Sequence, residues 1–334
     1  MKARVVVAVA VTVGAVLLPA AAAYAAFPGE NGKIAFVGYD FSPRPSGAVY
    51  VVEPDGAGLS RLAGGGDPAW SPDGRQVAVG GGNGITIYDL DGGVAAEVPT
   101  PHGVADPHWS PDGQRLVFMG VPVGISSDVW VVNVDGSGLA NLTNTPDQSD
   151  FDPAWSPEGS SIAFTHAPDS TNRTDLWTMR PDGSEQVQLT FDAPPQGNPT
   201  WSPDGGRIAF ASFPGDPPVI EIVNRDGSGR TTAGPGTAPA WSPDGSRIAF
   251  ECEVIGICTM NLDGTGRFAI STGLQSFQPD WQPLPVAPPE FKNASKFCHS
   301  ERERLGEQAF RARYGDNRNG ANAHGRCVAA AKQQ

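Results

Sequence analysis

One motif recurs along this 334-residue chain and restricts what it can fold into. Five copies stand out: DPAWSPDGRQVAV from Asp67, DPHWSPDGQRLVF from Asp106, DPAWSPEGSSIAF from Asp152, NPTWSPDGGRIAF from Asn198 and APAWSPDGSRIAF from Ala238. Their tryptophans, Trp70, Trp109, Trp155, Trp201 and Trp241, are 39, 46, 46 and 40 residues apart, and Trp281 lies 40 beyond Trp241. Such a spacing is that of one four-stranded β-propeller blade per copy.

Each part of the motif has a physical role. Pro-x-Trp is too short and too proline-interrupted for a central ladder strand, but it suits an innermost strand whose tryptophan packs on the neighbouring blade. Ser-Pro-Asp-Gly is a turn: Pro presets φ, Asp bonds nearby backbone and Gly takes the left-handed position. The Ile-Ala-Phe run after it is a buried second strand. A third strand follows in every period and ends at an Asp-Gly hairpin: Asp55-Gly56, Asp91-Gly92, Asp135-Gly136, Asp182-Gly183, Asp226-Gly227 and Asp263-Gly264. Six third strands predict six blades. The last tryptophan motif breaks off after Trp281, and Lys33-Ile34-Ala35-Phe36 near the start supplies the missing second strand without a preceding Trp. The chain is therefore expected to close its ring by pairing its N- and C-terminal strands in one blade, hiding most of the sheet edges.

The PxWSPDGxxIAF signature resembles the WD40-like (PD40) repeat of the TolB-type propellers, from Pro28 to Trp281. That resemblance implies an all-β, six-bladed propeller. Propellers of this kind serve as binding modules and as enzymes. TolB-type proteins can carry an α/β domain ahead of the propeller, whereas here the propeller motif begins within a few residues of the leader.

Composition narrows the reading. Gly (42) and Pro (32) are too frequent for a helical bundle, while 39% hydrophobic residues supply a large core. Residues 1–25 read as a secretory leader: Lys2 and Arg4, an apolar run from Val5 to Leu18, and Ala23-Tyr24-Ala25 at the cleavage site. No other segment is apolar enough to span a bilayer, so a secreted or otherwise extracytoplasmic protein is expected, and a monomer. Net charge is -13, made of -19 over residues 26–286 and +4 over 287–334, with +2 from the leader. This acidity speaks against nucleic acid as a partner.

Four cysteines outside the cytoplasm form disulfides. Cys252 and Cys258 bracket one hairpin and are expected to pair, leaving Cys298 with Cys327 to close the tail. The division expected is a leader over 1–25, a propeller over 26–281, a Pro-rich spacer over 282–290 and a Cys-stapled tail over 291–334 with a short helix after the Ser300/Glu303 capping box. The tail resembles short Cys-bounded modules at the ends of secreted proteins from high-GC bacteria.

Function is sought where innermost strands surround a channel. The position before each Pro-x-Trp holds Asp67, Asp106, Asp152, Asn198, Ala238 and Gln278. An acidic, hydrogen-bonding rim is expected there, either gripping a protein or carbohydrate partner or capping the backbone where the chain turns into the inner strand. His108 and Asp280 replace the Ala or Thr of the other copies. The contact residues selected are Asp67, Asp106, His108, Asp152 and Asn198. Asp147 and Asp150 are read as solvated acids of the approaching loop. Catalytic motifs such as Gly-x-Ser-x-Gly and His-Glu-x-x-His are absent from the sequence. A binding scaffold is therefore favoured over an enzyme, and no cofactor is assigned. The alternative is a sugar lyase or lactonase using rim carboxylates and a divalent cation such as Ca²⁺.

Overall fold

A computed structural model describes residues 28–285, apart from the segments 40–46, 83, 122–125, 146, 169–172, 192–193, 253–255 and 271, together with Cys298. The leader, most of the spacer, the tail helix and Cys327 lie outside the described residues. Cys252 pairs with Cys258 as expected. Cys298 is buried and also disulfide-bonded. Among the described residues, no helix is long and apolar enough to cross a membrane.

The described chain forms six four-stranded antiparallel sheets, the six blades of a β-propeller. Blade 1 joins the strands Glu30–Tyr39, Ala48–Val52 and Ser60–Gly64 to the last strand, Gln275–Leu284, which pairs with Glu30–Tyr39. Blades 2 to 6 each run consecutively from an inner strand: Gly66–Trp70, Gly103–Trp109, Ser149–Trp155, Gln196–Trp201 and Thr237–Trp241. Strand structure continues past Trp281 to Leu284, so Gln282 and Pro283 of the expected spacer are ladder residues.

The tryptophans join blade to blade. Trp109 of blade 3 packs on Ala69, Ala78 and Ile87 of blade 2, and Trp201 of blade 5 packs on Ala154, Ala163 and Leu176 of blade 4. Trp281 of blade 1 packs likewise on Ala240, Ala249 and Ile257 of blade 6. Each such side chain, almost wholly buried, removes on the order of 200 Å² from water, worth about 5 kcal/mol as an upper bound. Its indole N–H also reaches across: Trp109 donates to the Ala69 carbonyl (3.1 Å), Trp201 to Ala154 (3.2 Å) and Trp241 to Thr200 (3.2 Å). The Trp281 indole instead donates within its own blade, to the Gly32 carbonyl (3.0 Å), and the buried indole N–H groups of Trp70 and Trp155 have no partner among the described residues. At those two junctions the residue opposite is Asp280 or His108 instead of Ala or Thr, and its side chain takes the backbone N–H of the same tryptophan.

The Ser-Pro-Asp-Gly turns are built from their own atoms. In blade 5 the Ser202 hydroxyl donates to Asp204 (2.5 Å), Gly206 N–H donates to the same carboxylate (2.9 Å), and Gly205 stands at φ +66°. Blades 3 and 6 repeat the Ser-to-Asp bond. These turns lie at one end of the inner strands, and the long loops lie at the other.

Candidate functional site: the channel mouth

All six Pro-x-Trp segments line one central cavity of about 120 Å³. The residue before each proline occupies the same place in all six inner strands. It sits inside the strand, in the left-handed region: φ is +51° at Asp67, +49° at Asp106, +51° at Asp152, +52° at Asn198, +45° at Ala238 and +52° at Gln278. At each the ladder slips register, as between Ala105 and His108 and between Phe151 and Ala154. Such a β-bulge turns an extra side chain off the ladder, here toward the channel. Asp and Asn tolerate the left-handed conformation best, which favours them in four of the six places.

The bulge also frees a backbone N–H, and carboxylates of neighbouring blades take it up. Asp152 Oδ2 accepts from Asn198 N–H (2.9 Å) and from the Thr165 hydroxyl (3.2 Å). Asp67 Oδ2 lies 3.4 Å from Asp106 N. Glu251 Oε1 accepts from Gln278 N–H (2.8 Å), while its Oε2 accepts from the Thr237 hydroxyl (3.1 Å). Asp67 and Asp152 thus do structural work between blades. Asp106 differs, because among the described residues its carboxyl is bonded only by side chains: Gln278 Nε2 at 3.2 Å, and Asp152. The Gln278 side chain also bonds Asp67, so it bridges blade 1 to blades 2 and 3 across the mouth.

Burial raises the proton affinity of all three rim acids. The shift is strongest at Asp106, where desolvation is reinforced by the charges of Asp152 and Asp67 and by the hydrogen bond to Asp152. Burial and crowding thus push all three carboxyls toward the protonated form, Asp106 most of all. Among the described residues, no group of three His, Cys, Asp or Glu side chains is arranged to hold a metal ion.

His108 and Asp280 lie in a second layer, below the rim. Asp280 accepts from the backbone N–H of Trp70 (2.7 Å) and of Trp281 (2.9 Å), and burial pushes its carboxyl up to about 7. Burial also depresses His108, to about 4, so the ring is neutral at physiological pH. Its Nδ1 faces Trp109 O (3.1 Å) and Trp155 N (3.4 Å). Of the five selected residues, Asp67, Asp106, Asp152 and Asn198 share the rim, and His108 stands one layer deeper. Asp147 is exposed, but Asp150 is not the solvated acid expected from sequence: it is fully buried, bonding His166 Nδ1 and Thr145 Oγ1 at 2.6 Å each. His166 lies in the strand Ile162–Ala167.

Sequence reading passed over Glu251 and set Gln278 aside. Glu251 follows the fifth Ile-Ala-Phe and carried no visible signal, since Thr165 and Ala211 occupy the corresponding place in blades 4 and 5. Gln278 occupied the right repeat position but carries no charge.

With this geometry in view, the comparisons are informative. Residues 29–192 match the TolB beta propeller domain. These residues belong to that family. Among solved structures, TolB from Acinetobacter baumannii aligns with a TM-score of 0.65 at 22% identity, covering 77% of this chain and 68% of that one. The putative TolB from Agrobacterium tumefaciens aligns at 0.57 and 18% identity, covering 76% and 99%. A chain of the nidogen/laminin complex aligns at 0.59 with only 11% identity, covering 76% and 100%. At such identities the likeness is one of fold. No curated protein sequence matches the chain.

Proposed function

We propose that this protein is an exported, monomeric binding scaffold that grips a protein or glycan partner at the mouth of its TolB-type propeller. The observation that carries the reading is the carboxylate arc of Asp67, Asp106 and Asp152, held on bulged backbone and bridged by Gln278. Three crowded acids, partly desolvated, favour a ligand that brings hydrogen-bond donors or positive charge. Asp106 is the foremost contact, since it caps no backbone N–H. Asn198 adds an amide at the end of the arc. His108 acts through blade packing and not as a base, because its Nδ1 faces backbone groups and its proton affinity is low. The leader over 1–25 and the Cys252–Cys258 bridge support an oxidising, extracytoplasmic setting.

The test is capture from an envelope extract by the purified protein. A partner should be recovered by the native chain and lost when Asp67, Asp106 and Asp152 are all changed to Asn, with the unfolding midpoint retained. Recovery unaffected by the triple change would remove the arc from the function. The second reading, a cation-dependent enzyme acting on sugars, is favoured by the convergence of Asp67, Asp106 and Asp152 on one cavity. It requires millimolar calcium to raise the unfolding temperature by binding the native state, and Asp106→Asn to abolish that rise. The scaffold reading expects no shift.

A further inference from the structure

The mouth is open on one side. Next to its neutral half lies a cavity of about 440 Å³ bounded by Tyr39, Asn198, Ala238, Glu251, Phe277 and Gln278. A second, of about 600 Å³, shares Glu251 and Phe277 with it and runs past Ser276 and Thr237 to Pro217, Pro218 and Cys252 of the disulfide hairpin. The first cavity meets the channel at Asn198, Ala238 and Gln278, which line both. Ala238 forms the doorway. It is held at φ +45°, where Asn, Asp or Gly is usual, and its methyl group leaves a gap in the ring that a longer side chain would fill. Both volumes fall in the range of small-ligand pockets.

The lining narrows the ligand class. Phe277, edge-on to Tyr39 with ring centroids 5.9 Å apart, supplies a rigid apolar wall. Asn198 offers a side-chain amide with no hydrogen bond among the described residues, able both to donate and to accept. Gln278 spends N–H groups on the rim acids and retains its amide oxygen. Glu251 has both oxygens committed, to Gln278 N–H and Thr237. Among the described lining residues of the two cavities there is no Lys or Arg. Among the described residues an anionic ligand finds no counter-charge there, and it meets the field of the neighbouring rim acids. A wholly apolar ligand would bury the Asn198 amide unpaired, at a cost of about 1–3 kcal/mol. A ligand rich in hydroxyls, with flat C–H faces and no negative charge, meets all of these conditions.

We propose that this cleft binds a short neutral oligosaccharide, stacked on Phe277 and hydrogen-bonded by Asn198 and the Gln278 amide oxygen, with one end at the Ala238 doorway. The proposal rests on the reading of the mouth as the working end, but on different residues from the acidic arc. Calorimetric titration of the purified chain with cellotetraose, chitotetraose as its N-acetyl form, and tetragalacturonate tests it. At least one neutral tetrasaccharide should bind saturably, and about tenfold more tightly than the uronate. Phe277→Ala and Ala238→Asn should each weaken it about tenfold, a loss of one aromatic contact or of the doorway. Ala238→Asn guards against misfolding, because Asn suits the left-handed backbone there; unfolding midpoints check both variants. Asp204→Asn, in the turn at the other end of an inner strand, should leave the sugar affinity within about twofold. No saturable binding of either neutral sugar, equal or tighter binding of the uronate, or binding indifferent to both cleft variants would overturn the proposal. Sugar binding that survives both cleft variants but is lost when Asp67, Asp106 and Asp152 are all changed to Asn would also overturn it, while leaving the rim as the binding site.

Discussion

The same residue type behaves oppositely at the two ends of the inner strands. At the turn end, Asp204 is held below the usual carboxylate range by the Ser202 hydroxyl and the Gly206 N–H, all within a few residues of chain. At the mouth, burial drives Asp106 and Asp280 upward, and their bonding partners include Gln278 at a separation of 172 residues and Trp70 at 210. Turn acids are satisfied within their own repeat, so the turns can be copied from blade to blade. Mouth acids depend on whichever residue another blade presents, so equivalent positions there diverge into Asp, Asn, Ala and Gln.

The largest expected effect comes from separating the blades that create the mouth. Trp201→Ala should cost about 3–5 kcal/mol, the range for emptying a buried aromatic site, and should disturb the Asp152–Asn198 contact with it. Denaturant titration measures the loss, and a cost below about 1 kcal/mol would mean that the junction is not a principal source of rigidity.

Next is the pH dependence contributed by Asp280. Its native proton affinity exceeds that of an unfolded Asp, so the native state binds the extra proton: the stabilisation is fully present below pH about 4 and is lost as pH rises toward about 7. Across that window stability should fall by up to about 1.4 kcal/mol per pH unit from this group. Asp280→Asn should flatten that segment of the profile. An unchanged slope in the variant would assign it to other groups.

The smallest effect belongs to the turn end, with the opposite sign. Asp204→Asn should cost about 0.5–1 kcal/mol at neutral pH, the scale of an exposed charge-assisted bond. Because Asp204 is depressed, its contribution is present above the unfolded pKa and fades as pH falls through the lower native value. Wild type and variant should therefore converge in acid. A gap that widened in acid would break the contrast between the two ends.

Much of the fold was legible because its signals are local. Trp-to-Trp spacing marked the blades, Ser-Pro-Asp-Gly and Asp-Gly marked the turns, and the short separation of Cys252 and Cys258 marked a hairpin bridge that the structure contains. The candidate site was legible only as a list of positions. Reading Asp67, Asp106, Asp152 and Asn198 from the repeat was enough to put them on one ring. It could not distinguish Asp67 and Asp152, which cap neighbouring backbone, from Asp106, which does not. Asp150 was misread for a related reason: nothing adjacent in sequence announces that His166 and Thr145 will surround it.

By itself, then, the sequence determined the period, the six blades and the turns, since a short motif with its own turn chemistry recurs every 39 to 46 residues. Tertiary structure alone decided that the rim residues stand on left-handed bulges, that Glu251 and Gln278 brace the mouth, that burial raises the proton affinity of its acids, and that a cleft opens beside Ala238. Those features depend on contacts between blades, where the geometry of ring packing brings together residues that the chain keeps far apart.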